Sequence, residues 1–269
     1  MKHSCVNLLS LSVFLSLLMA VNGCQQTEEQ KSGEYAPERN NAELSATDLH
    51  FSNDLLDSIE LTEIEAESAE IQNPDHIHVL VNDDHVLPDS YTPDDLTVPD
   101  VRFSFDEELD RRLMREEAAE ALEQLFRAAD AAEQELFAVS GYRSYERQEQ
   151  LFTAAVNEHG EETARETSAA PGSSEHQTGL AMDVSSRSND LLLNTDFADT
   201  DEGQWVEEHA HEHGFVIRYP EGEEDLTGIT FEPWHLRYVG EDAAEELDNS
   251  GLTLEELIEK TREYQDGPG

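Results

Sequence analysis

At 269 residues the chain can hold one good-sized domain plus appendages. Its 62 acidic residues against 16 basic ones give a net charge of −46, which leaves no basic footprint for nucleic acid to bind. The only cysteines are Cys5 and Cys24, so the remaining chain offers no disulfide, cysteine nucleophile or thiolate ligand, and any metal must be held by His, Asp and Glu.

Lys2 and His3 precede an apolar run, LLSLSVFLSLLMAV, long enough for the core of a signal peptide and short for a spanning helix. A signal peptide is expected over residues 1–23. The run closes on Asn22-Gly23-Cys24, which resembles the lipobox of bacterial lipoproteins; Cys24 is the expected lipidation site and first residue of the mature protein. That places the protein outside the cytoplasm, anchored to the cell membrane by lipid. Residues 24–72 are rich in Glu, Ser and Asn and read as a disordered acidic linker, with IEAESAEI a transient helix at most. The folded domain is expected over 73–269. Lysine occurs only at Lys2, Lys31 and Lys260, and a carboxylate-covered surface of this kind is soluble where high salt screens self-repulsion, which implies a salt-loving source.

Within the domain, HIHVLVN (76–82) alternates like a strand, and the proline- and aspartate-rich stretch after it reads as an extended wrapping segment. Apolar residues at helical spacing predict a helix over 106–131. ELFAVSGYRS reads as a strand, followed by a helix from the cap Ser144 to Gly160. LAMDV is a strand, EGQWVEEHAHEHG a helix ending at Gly214, FVIRY a strand and PEGEEDLTG a turn. ITFEPWHLRYVG is strand-like, and TLEELIEKTREYQ closes the chain as a helix. Short strands interleaved irregularly with helices predict an α+β fold, a single domain with one central antiparallel sheet backed by helices.

Three segments carry polar residues that a plain surface does not require: SGYRSYERQ (140–148), SSEHQTGLAMDVS (173–185) and FEPWHLRYVG (231–240). Read alone, the middle one is either a turn running into a strand with water-facing polar residues or the start of a metal site. A catalytic zinc site takes three protein ligands and leaves a position for water. His176 and Asp183 could supply two, with Gly179 turning the backbone between them, and His235 is the best third candidate, between Trp234 and Tyr238 as apolar walls. Glu232 is the carboxylate available as base and acid. Pro233 excludes a helix there and a regular strand would set Glu232 and His235 on opposite faces, so a bulge or turn is required. His209, His211 and His213 offer a competing cluster, but the apolar stripe of Trp205, Val206 and Ala210 leaves them on a solvated face; His76, His78 and His85 are weaker still. No Gly-x-Ser-x-Gly elbow is present for a serine hydrolase.

SGYRSYERQ, the run Ser174-Glu-His176-Gln-Thr-Gly179-Leu-Ala181-Met-Asp183, GFVIRYP and EPWHLRYVG, in that order, resemble the VanY-like D-alanyl-D-alanine carboxypeptidases, zinc peptidases of the D,D-peptidase and Hedgehog-like fold. The resemblance spans about residues 78–258. It implies one Zn2+ per chain on His176, Asp183 and His235, with Glu232 as general base and acid and Arg143 stabilising the oxyanion. It further implies Gln148 and Ser174 as substrate-orienting residues. The substrate implied is the peptidoglycan stem peptide, cut at its last bond by a D,D-carboxypeptidase that releases D-alanine; the protein is expected to be a monomer. An L,D-carboxypeptidase acting on tetrapeptide stems shares every one of these residues. An inactive wall-binding lipoprotein would need a lost ligand or base, and none is missing. Relatives carry lysines where this chain has Glu221 and Glu223, in keeping with its general depletion of lysine.

Overall fold

The computed structural model describes residues 51–267; the expected signal peptide, Cys24 and the first part of the expected linker lie outside them. Residues 51–72, expected to be linker, are folded. Ser52 caps the short helix α1 (Asn53–Ser58) by accepting from the Leu55 amide, and Leu55, Leu56 and Ile59 are buried. IEAESAEI is not helical: Ile64 and Ile71 bridge antiparallel across a turn. Spaced apolar residues in an acidic segment hide this packing, because composition reports the many exposed glutamates and not the few buried anchors. The folded part therefore begins by residue 51, not 73.

HIHVLVN is also not a strand. Val79, Leu80 and Val81 are all buried in succession, so the segment is enclosed on both sides rather than alternating, and its Ile77 and Val79 carbonyls accept from Arg237 instead of a sheet partner. A two-stranded ribbon follows, β1 (Leu96–Thr97) with β2 (Met114–Arg115). The helix expected from residue 106 starts ten residues later, as α2 (Glu116–Ala131). Leu109 is solvent-exposed, and Asp110–Arg112 form a single 3-10 turn. From α2, Ala118, Leu122, Leu125, Phe126 and Ala129 enter the main apolar core.

The sheet has four antiparallel strands in the order β3 (Leu136–Ser140), β4 (Ala181–Ser186), β6 (His235–Tyr238), β5 (Phe215–Ile217). Between β3 and β4 come α3 (Tyr145–His159), capped by Ser144 as expected, and a short helix α4 (Glu161–Thr167). The helix expected over 202–214 divides into α5 (Asp201–His209) and a 3-10 turn Ala210–His213. The expected turn after β5 contains α6 (Glu224–Thr227). Two helices end the chain, α7 (Glu241–Ser250), which has no counterpart among the expected elements, and α8 (Leu254–Asp266), which opens with a Thr253/Glu256 capping box. α1, α7 and α8 share a second apolar cluster built on Leu55, Ile59, Val239, Leu247, Leu257 and Ile258.

Side chains alternate across the sheet. Met182, Val184 and Leu236 join the α2 residues in the main core. Asp183, His235 and Arg237 therefore share the other face, and all six residues of β4 are buried. That polar face holds three of the buried ionisable side chains of the sheet. As a test of the folded N-terminal segment, Ile59→Ala should lower unfolding stability by about 2–4 kcal/mol in denaturant melts; were residues 51–72 a solvated linker, the change would stay within about 0.5 kcal/mol.

Candidate active site

Strand register assembles the centre of the site. Asp183 lies opposite Ser140 of β3 and opposite His235 of β6. His176 arrives from the 3-10 turn Glu175–Thr178, which Gly179 ends in the left-handed region at φ 70°. A Cβ at Gly179 would stand 2.8 Å from Leu96 Cδ2 and 3.0 Å from Arg115 Cγ, so both the turn and the close packing require glycine.

Ligand atoms of His176, Asp183 and His235 all lie within 4.8 Å of one another, and all three residues are buried. His235 Nδ1 is 3.1 Å from Asp183 Oδ1, and His176 Nε2 is 3.4 Å from Asp183 Oδ2. The two imidazoles meet edge to face with centroids 4.9 Å apart. His176 Nδ1 lies 2.8 Å from the Gly141 carbonyl, a contact that places a proton on Nδ1 and leaves Nε2 free to bind a cation. Two imidazole nitrogens and one carboxylate, convergent and shielded, fit a small divalent ion with an open coordination position. Although burial pushes the Asp183 carboxyl up, His176 and His235 hold it well below the usual carboxylate range. Burial opposes charge on His235 too, yet Asp183 and Glu175 raise it to about 9, so a cation bound there takes the place of a proton.

Glu232 Oε2 stands 3.8 Å from His235 Nδ1. A turn does this, not a bulge: the His235 amide donates to the Glu232 carbonyl just ahead of β6. Burial raises the Glu232 carboxyl to about 7, with the His235 charge opposing. Arg143 faces the same cleft, a cavity of about 230 Å3 that Gln148, Ser174, Tyr219 and Trp234 also line. Its guanidinium donates to Gln148 Oε1 at 2.9 Å and to Ser140 Oγ at 3.1 Å. Among the described residues no carboxylate pairs with it. Gln148 is held from behind, donating to the Ala169 carbonyl at 2.6 Å.

The expected wall residue Tyr238 is on the far face of the sheet, where its hydroxyl donates to Glu117; Tyr219 stands over His235 instead, with ring centroids 5.0 Å apart. The histidines of α5 and the 3-10 turn after it do not converge. His209 stacks on Trp205 at 4.8 Å and His211 faces Asp248, and among the described residues the His176 group alone has metal-binding geometry.

A buried ionic cluster, not expected from the sequence, lies under His235. Glu175 is 1% exposed and receives Arg218 Nε at 2.8 Å and Arg237 Nη1 at 2.7 Å. Burial favours its neutral form, yet Arg237 and Arg218 hold the carboxyl well below its usual range. Removing one partner from such a cluster leaves an unpaired buried charge, at a cost of about 3–5 kcal/mol. The available signal was an arginine within each of two apolar strand segments, FVIRY and HLRYV.

The sequence profile of the family described as "VanY: D-alanyl-D-alanine carboxypeptidase" matches residues 111–241. YodJ of Bacillus subtilis (strain 168), a provisionally assigned carboxypeptidase, is 47% identical over 240 residues, which cover 88% of this chain and 84% of YodJ. The chain belongs to the VanY family. This bears out the resemblance carried by the motifs. Among solved structures, the LdcB LD-carboxypeptidase, described for its peptidoglycan recognition, is 51% identical with a TM-score of 0.72, over 74% of this chain and 94% of LdcB. A mutant of the vancomycin-resistance D,D-pentapeptidase VanY from the VanB-type cassette, in complex with Zn(II), is 30% identical with a TM-score of 0.56, over 68% of this chain and 98% of that one. For this VanY-family chain, titration with a divalent transition metal should give one tight site per chain. Asp183→Ala should remove it and His213→Ala should leave it intact; the reverse pattern would move the site to the Ala210–His213 turn.

Proposed function

We propose that the protein is a zinc carboxypeptidase that removes the terminal D-alanine from peptidoglycan stem peptides, with the L,D bond of a tetrapeptide stem as its preferred target. The observation that carries the chemistry is the convergence of His176, Asp183 and His235 within 4.8 Å, with Glu232 and Arg143 lining the same cleft. His176 through Nε2, a carboxylate oxygen of Asp183 and His235 through Nδ1 would hold the ion. Bound zinc supplies Lewis acidity at the scissile carbonyl and lowers the pKa of water.

Glu232 takes the proton of the attacking water and returns it to the departing amine. A carboxyl raised to about 7 suits both transfers near neutral pH. Arg143, fixed by Gln148 and Ser140, presents a preorganised cation to the negative charge that develops on the carbonyl oxygen. Gln148 and Ser174 orient the terminal carboxylate of the substrate.

Likeness to the LdcB LD-carboxypeptidase, at 51% identity against 30% for the D,D-pentapeptidase, favours the L,D reading. The D,D reading rests on the family profile, described by its D-alanyl-D-alanine activity. In either case the substrate lies outside the cytoplasm, which agrees with a monomer tethered to the membrane through Cys24 and an acidic linker.

Incubating the protein with tetrapeptide and pentapeptide stems, with and without a chelator, tests this. Release of D-alanine mainly from the tetrapeptide, abolished by the chelator, is expected; release from the pentapeptide alone would establish the D,D specificity. Glu232→Gln should lower kcat by about 10²- to 10⁴-fold with zinc still bound, and full residual turnover would remove Glu232 from the mechanism.

A further inference from the structure

We infer that Glu175 is a positioning residue: its carboxylate accepts the Nε2 proton of His235 and so turns Nδ1 towards the metal. This rests on the zinc-carboxypeptidase reading above and extends it to the residue beneath the ligand.

The two oxygens of Glu175 have separate partners. Oε1 accepts from Arg218 Nε at 2.8 Å and from Arg237 Nη1 at 2.7 Å. Oε2 has one described contact, His235 Nε2 at 3.4 Å. With Oε1 held by two guanidinium groups, the plane of the carboxylate is set, and Oε2 is aimed at the ring nitrogen that faces away from Asp183.

The arginines are fixed in turn. Arg237 spends its other donors on the carbonyls of Tyr238, Ile77 and Val79. Arg218 reaches past Glu175 to both carboxylate oxygens of Glu255 in α8. Glu175 and both arginines are almost wholly buried, so water does not compete for these contacts. Ligand histidines commonly donate their second ring N–H to a carboxylate or carbonyl, which fixes the tautomer and strengthens the ligand. His176 uses the Gly141 carbonyl in this way, and Glu175 supplies the equivalent for His235.

A purely structural Glu175 would only neutralise Arg218 and Arg237, and Glu255 separates the two roles. Glu255 belongs to the same charge cluster through Arg218 but makes no contact with His235. Zinc affinity of the full chain, measured by chelator competition, should fall about 10- to 100-fold in Glu175→Gln. It should recover in part in Glu175→Asp and stay near wild type in Glu255→Gln. The d–d spectrum of the cobalt-substituted protein should change in Glu175→Gln alone. Equal affinity losses in Glu175→Gln and Glu255→Gln, or none in a folded Glu175→Gln, would overturn the inference.

Should Glu175→Gln fail to fold, 15N NMR of the zinc-loaded wild-type protein decides. A proton on His235 Nε2 is expected, and a bare Nε2 refutes the positioning role. If the wild-type protein binds no zinc at His176, Asp183 and His235, the zinc reading itself fails, an outcome distinct from zinc binding with the wrong His235 tautomer.

Discussion

Asp183 sits on the central strand β4 with Ser140 opposite on one side and His235 opposite on the other. That register makes one row across three strands, and the rest of the site hangs from it. Ser140 accepts from Arg143, Asp183 lies between two imidazoles, and the turn ahead of His235 brings in Glu232. Strand side chains alternate with period two, so a slip of one residue in β6 would put Leu236 beside Asp183 and send His235 into the apolar core. The opposite face guards against this slip, because Met182, Val184 and Leu236 are wholly buried in that core. Packing on one face thus specifies chemistry on the other.

The polar face is buried as well, which makes it demanding to build. Isolated charges in such a place would neutralise or draw in water. Here the two most deeply buried carboxylates are answered. Asp183 lies between His176 and His235, and Glu175 between Arg218 and Arg237. Ion pairs of this kind add little net stability over an apolar core, but a broken one is costly. The cluster also ties distant parts of the chain to the ligand strand, since Arg237 reaches the 77–79 segment and Arg218 reaches α8.

How much of this was legible in the sequence depended on whether a residue acts locally. The capped helix α3 and the left-handed turn at Gly179 follow from neighbouring residues, and both formed as expected. The three converging side chains were legible because motif order carried what spacing alone left open. Glu175 adjoins His176, yet nothing nearby in sequence shows that two arginines 43 and 62 residues further on will surround it. The wall over His235 is Tyr219 and not the expected Tyr238, since strand alternation sends Tyr238 to the other face. The packing of residues 51–72 was hidden for a similar reason: α1 meets α8, some two hundred residues away, and exposed glutamates dominate its composition.

The two histidines differ in how their outer nitrogens are held. His176 leans on the backbone carbonyl of Gly141, where even a single Cβ would come within 2.5 Å of the Leu113 carbonyl. His235 faces a side chain, Glu175. No substitution can delete a carbonyl, so the orientation of His176 is insulated from genetic drift as long as the loop survives. The orientation of His235 is heritable in the ordinary sense, open to change one codon at a time. Divergence in metal affinity between descendants of this chain should therefore accumulate around His235 and leave His176 untouched.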